Sequence, residues 1–311
     1  MPWLVGIDEA GYGPNLGPFV MTLVACRSPD HGCLWNSLKS HVRRADEEAD
    51  ERLIVADSKQ VYSSAGGFDE LEKTALAVNP HPTLAQLLES LAIDDMPQLR
   101  QEAWFAGDTA LPCAIDADAL GAACKSWREA SEAAGVRFAY IRSVIVAAPR
   151  FNDLIDRWDS KSAVLSVALT ELMRSCLSET DAEPMRFVID KHGGRNTYSA
   201  LLQHACGDGM VTAEEEGRAR SVYRVQGLDR PVQVLVTPKA DVEQFCVALA
   251  SMISKYVREL LMREFNRYWL THVPDLAPTA GYPNDAPRFF EAIRPAMKKM
   301  GLAERLVWRS R

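Results

Sequence analysis

The chain has no two cysteines in Cys-x-x-Cys spacing and no His-x-x-x-His. Its seven cysteines (26, 33, 113, 124, 176, 206 and 246) and six histidines are dispersed. An odd, scattered set of thiols reads as reduced and packed, which excludes a disulfide scaffold and speaks against zinc. No apolar run approaches membrane length, and the first residues lack the charged region and long apolar stretch of a signal peptide, so a cytoplasmic protein is expected. Positive charge is also short. Thirty-five Lys and Arg against 42 Asp and Glu leave a net −7, which argues against broad coating of nucleic acid but leaves room for a local basic track beside an acidic pocket. Residues 294–311, with Lys298, Lys299, Arg305 and Arg309 against Glu304 alone, could be such a track or equally a solvated helix face. Repeats and low-complexity tracts are absent.

What is present is ordinary globular material: 311 residues, 47% hydrophobic and 25% charged, enough to bury a sizeable core. Apolar runs at 3–7, 19–25, 138–147, 186–189 and 232–236 predict strands, several continuous enough to be buried on both faces. Helical periods fall near 36–44, 83–92, 116–134, 161–177, 197–206 and 241–270, with a last helix near 288–300 after a proline-rich connection at 271–287. Strands early, then helices alternating with single strands, predict an α/β fold with a mixed sheet. Residues 64–82 (Ser-Ser-Ala-Gly-Gly, later Asn-Pro-His-Pro) and 207–221 (Gly-Asp-Gly, then Glu214-Glu215-Glu216) read as loops or insertions outside the core.

Chemistry concentrates where apolar runs end in acids. Trp3 to Ile7 delivers Asp8 and Glu9 into a turn punctuated by Gly11, Gly13, Pro14, Gly17 and Pro18. Acids at the end of a core strand are costly unless a cation meets them. In a continuing strand the two side chains point to opposite faces, so a bulge or bend is expected if both reach one ion. Met185 to Ile189 repeats the logic with Asp190 before Gly193 and Gly194, and the carboxyl ends of parallel strands are where ligands sit. A fourth acid, Asp241, opens a long helical period. With Gln244 it also has the spacing of an N-cap.

These blocks resemble the type 2 ribonucleases H, the ribonuclease HII group. Gly6-Ile7-Asp8-Glu9-Ala10-Gly11-Tyr12-Gly13-Pro14 is similar to their opening Gly-Ile-Asp-Glu-Ala-Gly-Arg-Gly-Pro, and Ala56-Asp57-Ser58-Lys59 to their Asp-Ser-Lys motif. Lys239-Ala240-Asp241, with the helix carrying Ser251, Lys255 and Arg258, resembles their Lys-Ala-Asp element and the helix after it. Gly281-Tyr282-Pro283-Asn284-Asp285 resembles a signature of the archaeal and eukaryotic branch.

The resemblance implies a ribonuclease H-like mixed sheet flanked by helices. Residues 1–270 would form the catalytic domain, with insertions near 64–135 and 196–230, and 271–311 a helical C-terminal extension. It implies a metal-dependent endoribonuclease acting on RNA/DNA hybrids or on ribonucleotides embedded in a DNA duplex, leaving 5′-phosphate and 3′-hydroxyl ends. Asp8, Glu9, Asp190 and Asp241 would be catalytic and hold two Mg²⁺ or Mn²⁺ ions. Gly11, Tyr12, Gly13, Lys59 and Tyr282 would contact substrate, the glycine turn reading the ribose 2′-hydroxyl through main-chain groups and Tyr282 packing on the neighbouring deoxyribose. No membrane partner is implied.

This chain departs from the pattern at Tyr12, where the family has arginine, in Lys191-His192-Gly193-Gly194-Arg195, and in long spacings from Lys59 to Asp190 and from Asp190 to Asp241. Two other readings stay open: a nucleic-acid-binding protein without catalysis, and a nuclease of the same fold acting on branched DNA.

Overall fold

The computed structural model describes residues 1–29, 32–64 and 66–310. Among the described residues nine strands follow in order: β1 (Trp3–Ala10), β2 (Phe19–Arg27), β3 (Val42–Arg43), β4 (Leu53–Ile54), β5 (Arg137–Val146), β6 (Met185–Asp190), β7 (Met210–Glu216), β8 (Ser221–Gln226) and β9 (Val232–Thr237). Seven of them form one sheet in the order β5-β2-β1-β6-β9-β8-β7, while β3 and β4 pair separately. β1 runs antiparallel to β2 but parallel to β6, and β6 parallel to β9, with Ile7 opposite Ile189 and Asp190 opposite Thr237. Three adjacent central strands therefore end on the same edge.

Alternation along β1 decides what each face meets. Trp3, Val5 and Ile7 pack with the helix Ser162–Glu179 and its neighbours, whereas Gly6 lies against the helix Phe245–His272, which crosses β1 and β2 on the other face. A Cβ on Gly6 would sit 2.2 Å from the Cys246 carbonyl carbon and the Val247 nitrogen. This glycine lets helix and strand touch backbone to backbone, and that contact carries the helix start to the acidic strand end.

All five expected strands are present, and the sheet is mixed with helices on both faces. Three local expectations are corrected. The pattern at 36–44 gives a helix only over Leu34–Leu38, and β3 follows it. Residues 64–82 contain the helix Gly67–Val78, with Leu71, Glu72 and Leu76 wholly buried. Its apolar period was hidden between glycine and proline clusters, and Ala65 lies outside the described residues. Residues 207–221 include β7, whose largely exposed edge position leaves no apolar alternation for a sequence to display.

The long helix also clasps the segment between Glu72 and Ile115. Buried Glu264 accepts from the Ala106 and Gly107 amides and from Thr109, each at 3.0 Å. Tyr256 donates to Glu72, which also accepts from the Cys113, Ala114 and Ile115 amides. Burial works against the Glu72 carboxylate, but those backbone donors outweigh it and hold its pKa below the ordinary value.

Residues 294–310 are not one solvated face. Arg294 pairs with Glu291 and Glu304, Arg305 with Asp153 and Asp156, and Arg309 is fully buried. Lys298 and Lys299 remain exposed, and Arg311 is outside the described residues.

Candidate active site

Asp8 and Glu9 close β1, Asp190 closes β6, and Asp241 sits in a short turn, Ala240–Glu243, just beyond β9. Asp190 Oδ1 accepts the Ala240 amide at 2.8 Å, which pins that turn to the end of β6. Asp241 does not cap the long helix. Gln244 is extended and breaks the chain between the short turn and Phe245. Nor is there a bulge at the first pair of acids, since the β1–β2 register is regular through Ala10. Asp8 lies against the long helix, whose Ser254 hydroxyl donates to the Asp8 carbonyl at 3.1 Å, while Glu9 lies near His192, whose Nε2 is 4.0 Å from Glu9 Oε2.

The charges of these acids act on one another. Burial, then Glu9 and Asp190, raise the Asp8 pKa well above its ordinary value, although Ser251 works to lower it. Burial and Asp190 raise Glu9 to about 7, and burial, Asp57 and Asp190 raise Asp241 to about 6. Asp190 is raised by burial, which its backbone donors only partly offset. Asp190 thus stands between the others, its charge acting on Asp8, on Glu9 and on Asp241.

Lys59 stands at the edge of this group. Partial burial lowers its pKa, and Asp57, Asp8, Asp241 and Glu9 together more than reverse that, so the ammonium is raised and held charged. Its neighbour Asp57 caps the helix Ser58–Ser63 by accepting the Lys59 amide at 2.9 Å, and its charge acts on Asp241. Asp57 and His192 are the residues that sequence reasoning quoted but did not assign. Burial pushes the His192 imidazole down to about 4, helped by Arg195, so the ring is neutral beside Glu9. The acid at 57 sits in a turn like many others, and only the fold brings it to Asp241.

Next to the acids, Gly11 has φ +84, and a Cβ there would meet Arg258 Nε at 2.5 Å and the Pro18 carbonyl oxygen at 2.7 Å. Gly13 is different, for a Cβ on it would meet nothing within 4 Å. The fold therefore requires glycine at 11 and leaves 13 free. Tyr12 stacks edge-on against Phe19, with the Lys161 ammonium 4.9 Å from its ring centre. The Gly281 carbonyl accepts the Asn15 and Leu16 amides, which brings the exposed Tyr282 beside the glycine turn, and the Arg258 guanidinium carbon lies 5.5 Å from its ring centre.

Among the described residues, no three His, Cys, Asp or Glu side chains enclose a point tightly enough to hold an ion as they lie. The donor set nevertheless fits a hard divalent cation: it is all oxygen, its charges repel, and Glu9 Oε2 is buried without a hydrogen-bond partner.

The chain thus has a mixed sheet in which β1 and β6 run into carboxylates, flanked by helices and followed by a helical C-terminal region, the architecture that the sequence resemblance implies. No protein-family profile matches the chain, and no curated protein matches it. Among solved structures, ribonuclease H2 from Pyrococcus horikoshii OT3 is similar at 15% identity and TM-score 0.49, over 98% of this chain and 92% of that one. Ribonuclease HII from Archaeoglobus fulgidus, solved as a complex with PCNA, is similar at 17% identity and TM-score 0.43, over 99% and 94%. Bst ribonuclease HIII in complex with Mn²⁺ is similar at 14% identity and TM-score 0.45, over 99% of this chain and 65% of that chain. Among the described residues, no helix is long and apolar enough to cross a membrane.

Proposed function

We propose that the protein is a type 2 ribonuclease H, a metal-dependent endonuclease that cuts RNA in RNA/DNA hybrids or at ribonucleotides embedded in duplex DNA. The observation that carries this reading is the meeting of four mutually repelling carboxylates at three parallel strand ends, beside a glycine turn that opens to solvent. Two Mg²⁺ or Mn²⁺ ions held by Asp8, Glu9, Asp190 and Asp241 would supply activation of the attacking water and neutralisation of the leaving 3′-oxygen. Main-chain groups of Gly11, Tyr12 and Gly13 read the 2′-hydroxyl, and Tyr282 offers its exposed ring to the adjoining sugar. A binder without catalysis gains nothing from four acids facing a polyanion. The deciding assay compares cleavage of a duplex carrying one ribonucleotide, a long hybrid and an all-DNA duplex, with Mg²⁺ or Mn²⁺. Cutting only the all-DNA substrate, or a branched form of it, would overturn the reading.

Lys59 is expected at the rim as a phosphate contact. Lys59→Ala should weaken hybrid binding and reduce the salt slope by about one, without moving the cut site. An unchanged slope would leave Lys59 as a counter-charge to the acids alone.

Gly13→Ala separates fold from substrate, because the added methyl has free space. The melting temperature should stay that of the wild type while kcat/KM on an embedded ribonucleotide falls. Full activity would mean that no sugar approaches that backbone. Tyr282→Ala should lower cleavage at an RNA-to-DNA junction relative to continuous RNA by about 5- to 150-fold, the scale of about 1–3 kcal/mol for aromatic stacking. A junction-to-RNA ratio equal to that of the wild type would assign the ring no role in recognition.

A further inference from the structure

The glycine turn is held from behind by a residue almost at the other end of the sequence. Arg309 is wholly buried, and its guanidinium donates to the Gly11 carbonyl at 2.7 Å, the Tyr12 carbonyl at 3.0 Å and the Gly17 carbonyl at 3.3 Å. Its own amide donates to the Asn15 carbonyl at 2.8 Å, and its guanidinium carbon lies 3.8 Å from the Phe151 ring centre. Asn152 fixes the segment that carries it, donating to the Arg305 and Trp308 carbonyls and accepting from the Ser310 amide.

Two features distinguish this from ordinary packing. Arg309 has no carboxylate partner among the described residues, and its contacts are neutral carbonyls. Burial and the nearby Arg258 lower its pKa to about 9, which still leaves it charged at neutral pH. A buried cation that faces carbonyls and one aromatic ring, with no opposite charge, is a costly way to brace a loop. The second feature is direction. In a trans peptide the N–H points opposite to the C=O. Arg309 takes the carbonyls of the Gly11–Tyr12 and Tyr12–Gly13 peptides from the inside, so the amides of Tyr12 and Gly13 are turned outward, to the side where Gly13 is exposed. A guanidinium on a carbonyl also polarises its peptide and strengthens the amide as a donor.

Resting on the function proposed above, we infer that Arg309 is the positioning residue of the substrate-reading turn. It orients and polarises the Tyr12 and Gly13 amides toward a ribose 2′-hydroxyl. The position that carries arginine in related sequences is Tyr12 here, and the cation beside this turn comes instead from Arg309, behind the backbone.

The test is binding, measured in an Asp190→Asn background with Mg²⁺ so that nothing is cut. The readout is the ratio of Kd for an all-DNA duplex to Kd for the same duplex with one ribonucleotide. Arg309→Met should bring this ratio toward one, a loss of about tenfold for one charge-assisted contact, while the all-DNA Kd stays within about twofold. Arg309→Lys, which cannot span both carbonyls, should fall between. Asn152→Ala, which frees the segment but keeps the guanidinium, should also lower the ratio. An unchanged ratio in folded Arg309→Met, or equal weakening on both duplexes, overturns the inference. Should Arg309→Met not fold, an unchanged ratio in Asn152→Ala overturns it. A ratio of one in the Asp190→Asn background itself would defeat the 2′-hydroxyl reading of the turn, and the inference with it.

Discussion

Asp190→Asn and Asp8→Asn should each lower cleavage by about a thousandfold or more, the scale on which loss of a transition-state charge partner is felt, without unfolding the protein. The stability half of this expectation follows from the raised pKa values. An acid whose folded pKa lies above its unfolded one binds its proton more tightly when folded, so the stability it contributes is present at low pH. That stability drains away as pH climbs through the window between the two values. For Glu9 the window runs from 4.5 to about 7, and for Asp241 from 3.8 to about 6. The metal-free protein should therefore melt higher at pH 5 than at pH 8 as far as this cluster is concerned, and Asp190→Asn at pH 8 should melt at or above the wild type. Mn²⁺ should raise the wild-type melting temperature at pH 8 by mass action and leave Asp190→Asn nearly unmoved. Wild-type cleavage in either variant at saturating metal would sink the assignment of these acids.

Gly6→Ala should be among the most damaging small substitutions in the chain. The new methyl would lie 2.2 Å from backbone atoms of Cys246 and Val247, which no rotamer change can relieve. Helix and strand must part, and overpacking of this kind costs about 3 kcal/mol or more. Because the same contact holds Asp8 close to the helix carrying Ser251, activity should fall further than the fraction of folded protein explains. Denaturant unfolding and kcat per folded molecule measure the two losses separately. A melting temperature within a degree or two of the wild type would show that the helix can slide aside.

The central strands were legible because Trp3 to Ile7, Phe19 to Ala25 and Met185 to Ile189 are largely buried on both faces and so carry nearly continuous apolar runs, interrupted at Thr22 and Arg186. The acids were legible because they interrupt those runs where ligands gather. β7 was not legible, because an edge strand ending in Glu214-Glu215-Glu216 has little to bury. Nor was the role of Arg309, since a basic residue among Lys298, Lys299 and Arg305 looks like surface until a partner 298 positions away is known. Gly11 and Gly13 looked equivalent in sequence, yet only Gly11 is left-handed and enclosed.

That separation of 298 residues has a kinetic consequence. Contacts between distant parts of a chain are made late, after local structure has formed, so the turn takes its final shape only once the segment 304–310 has docked. The segment is short, and of its side chains only those of Val307 and Arg309 are buried. Its detachment is a local opening that leaves the sheet closed and the strand-borne acids in place. Recognition and chemistry thus stand on parts of different durability, and warming should blunt discrimination before it disarms the acids.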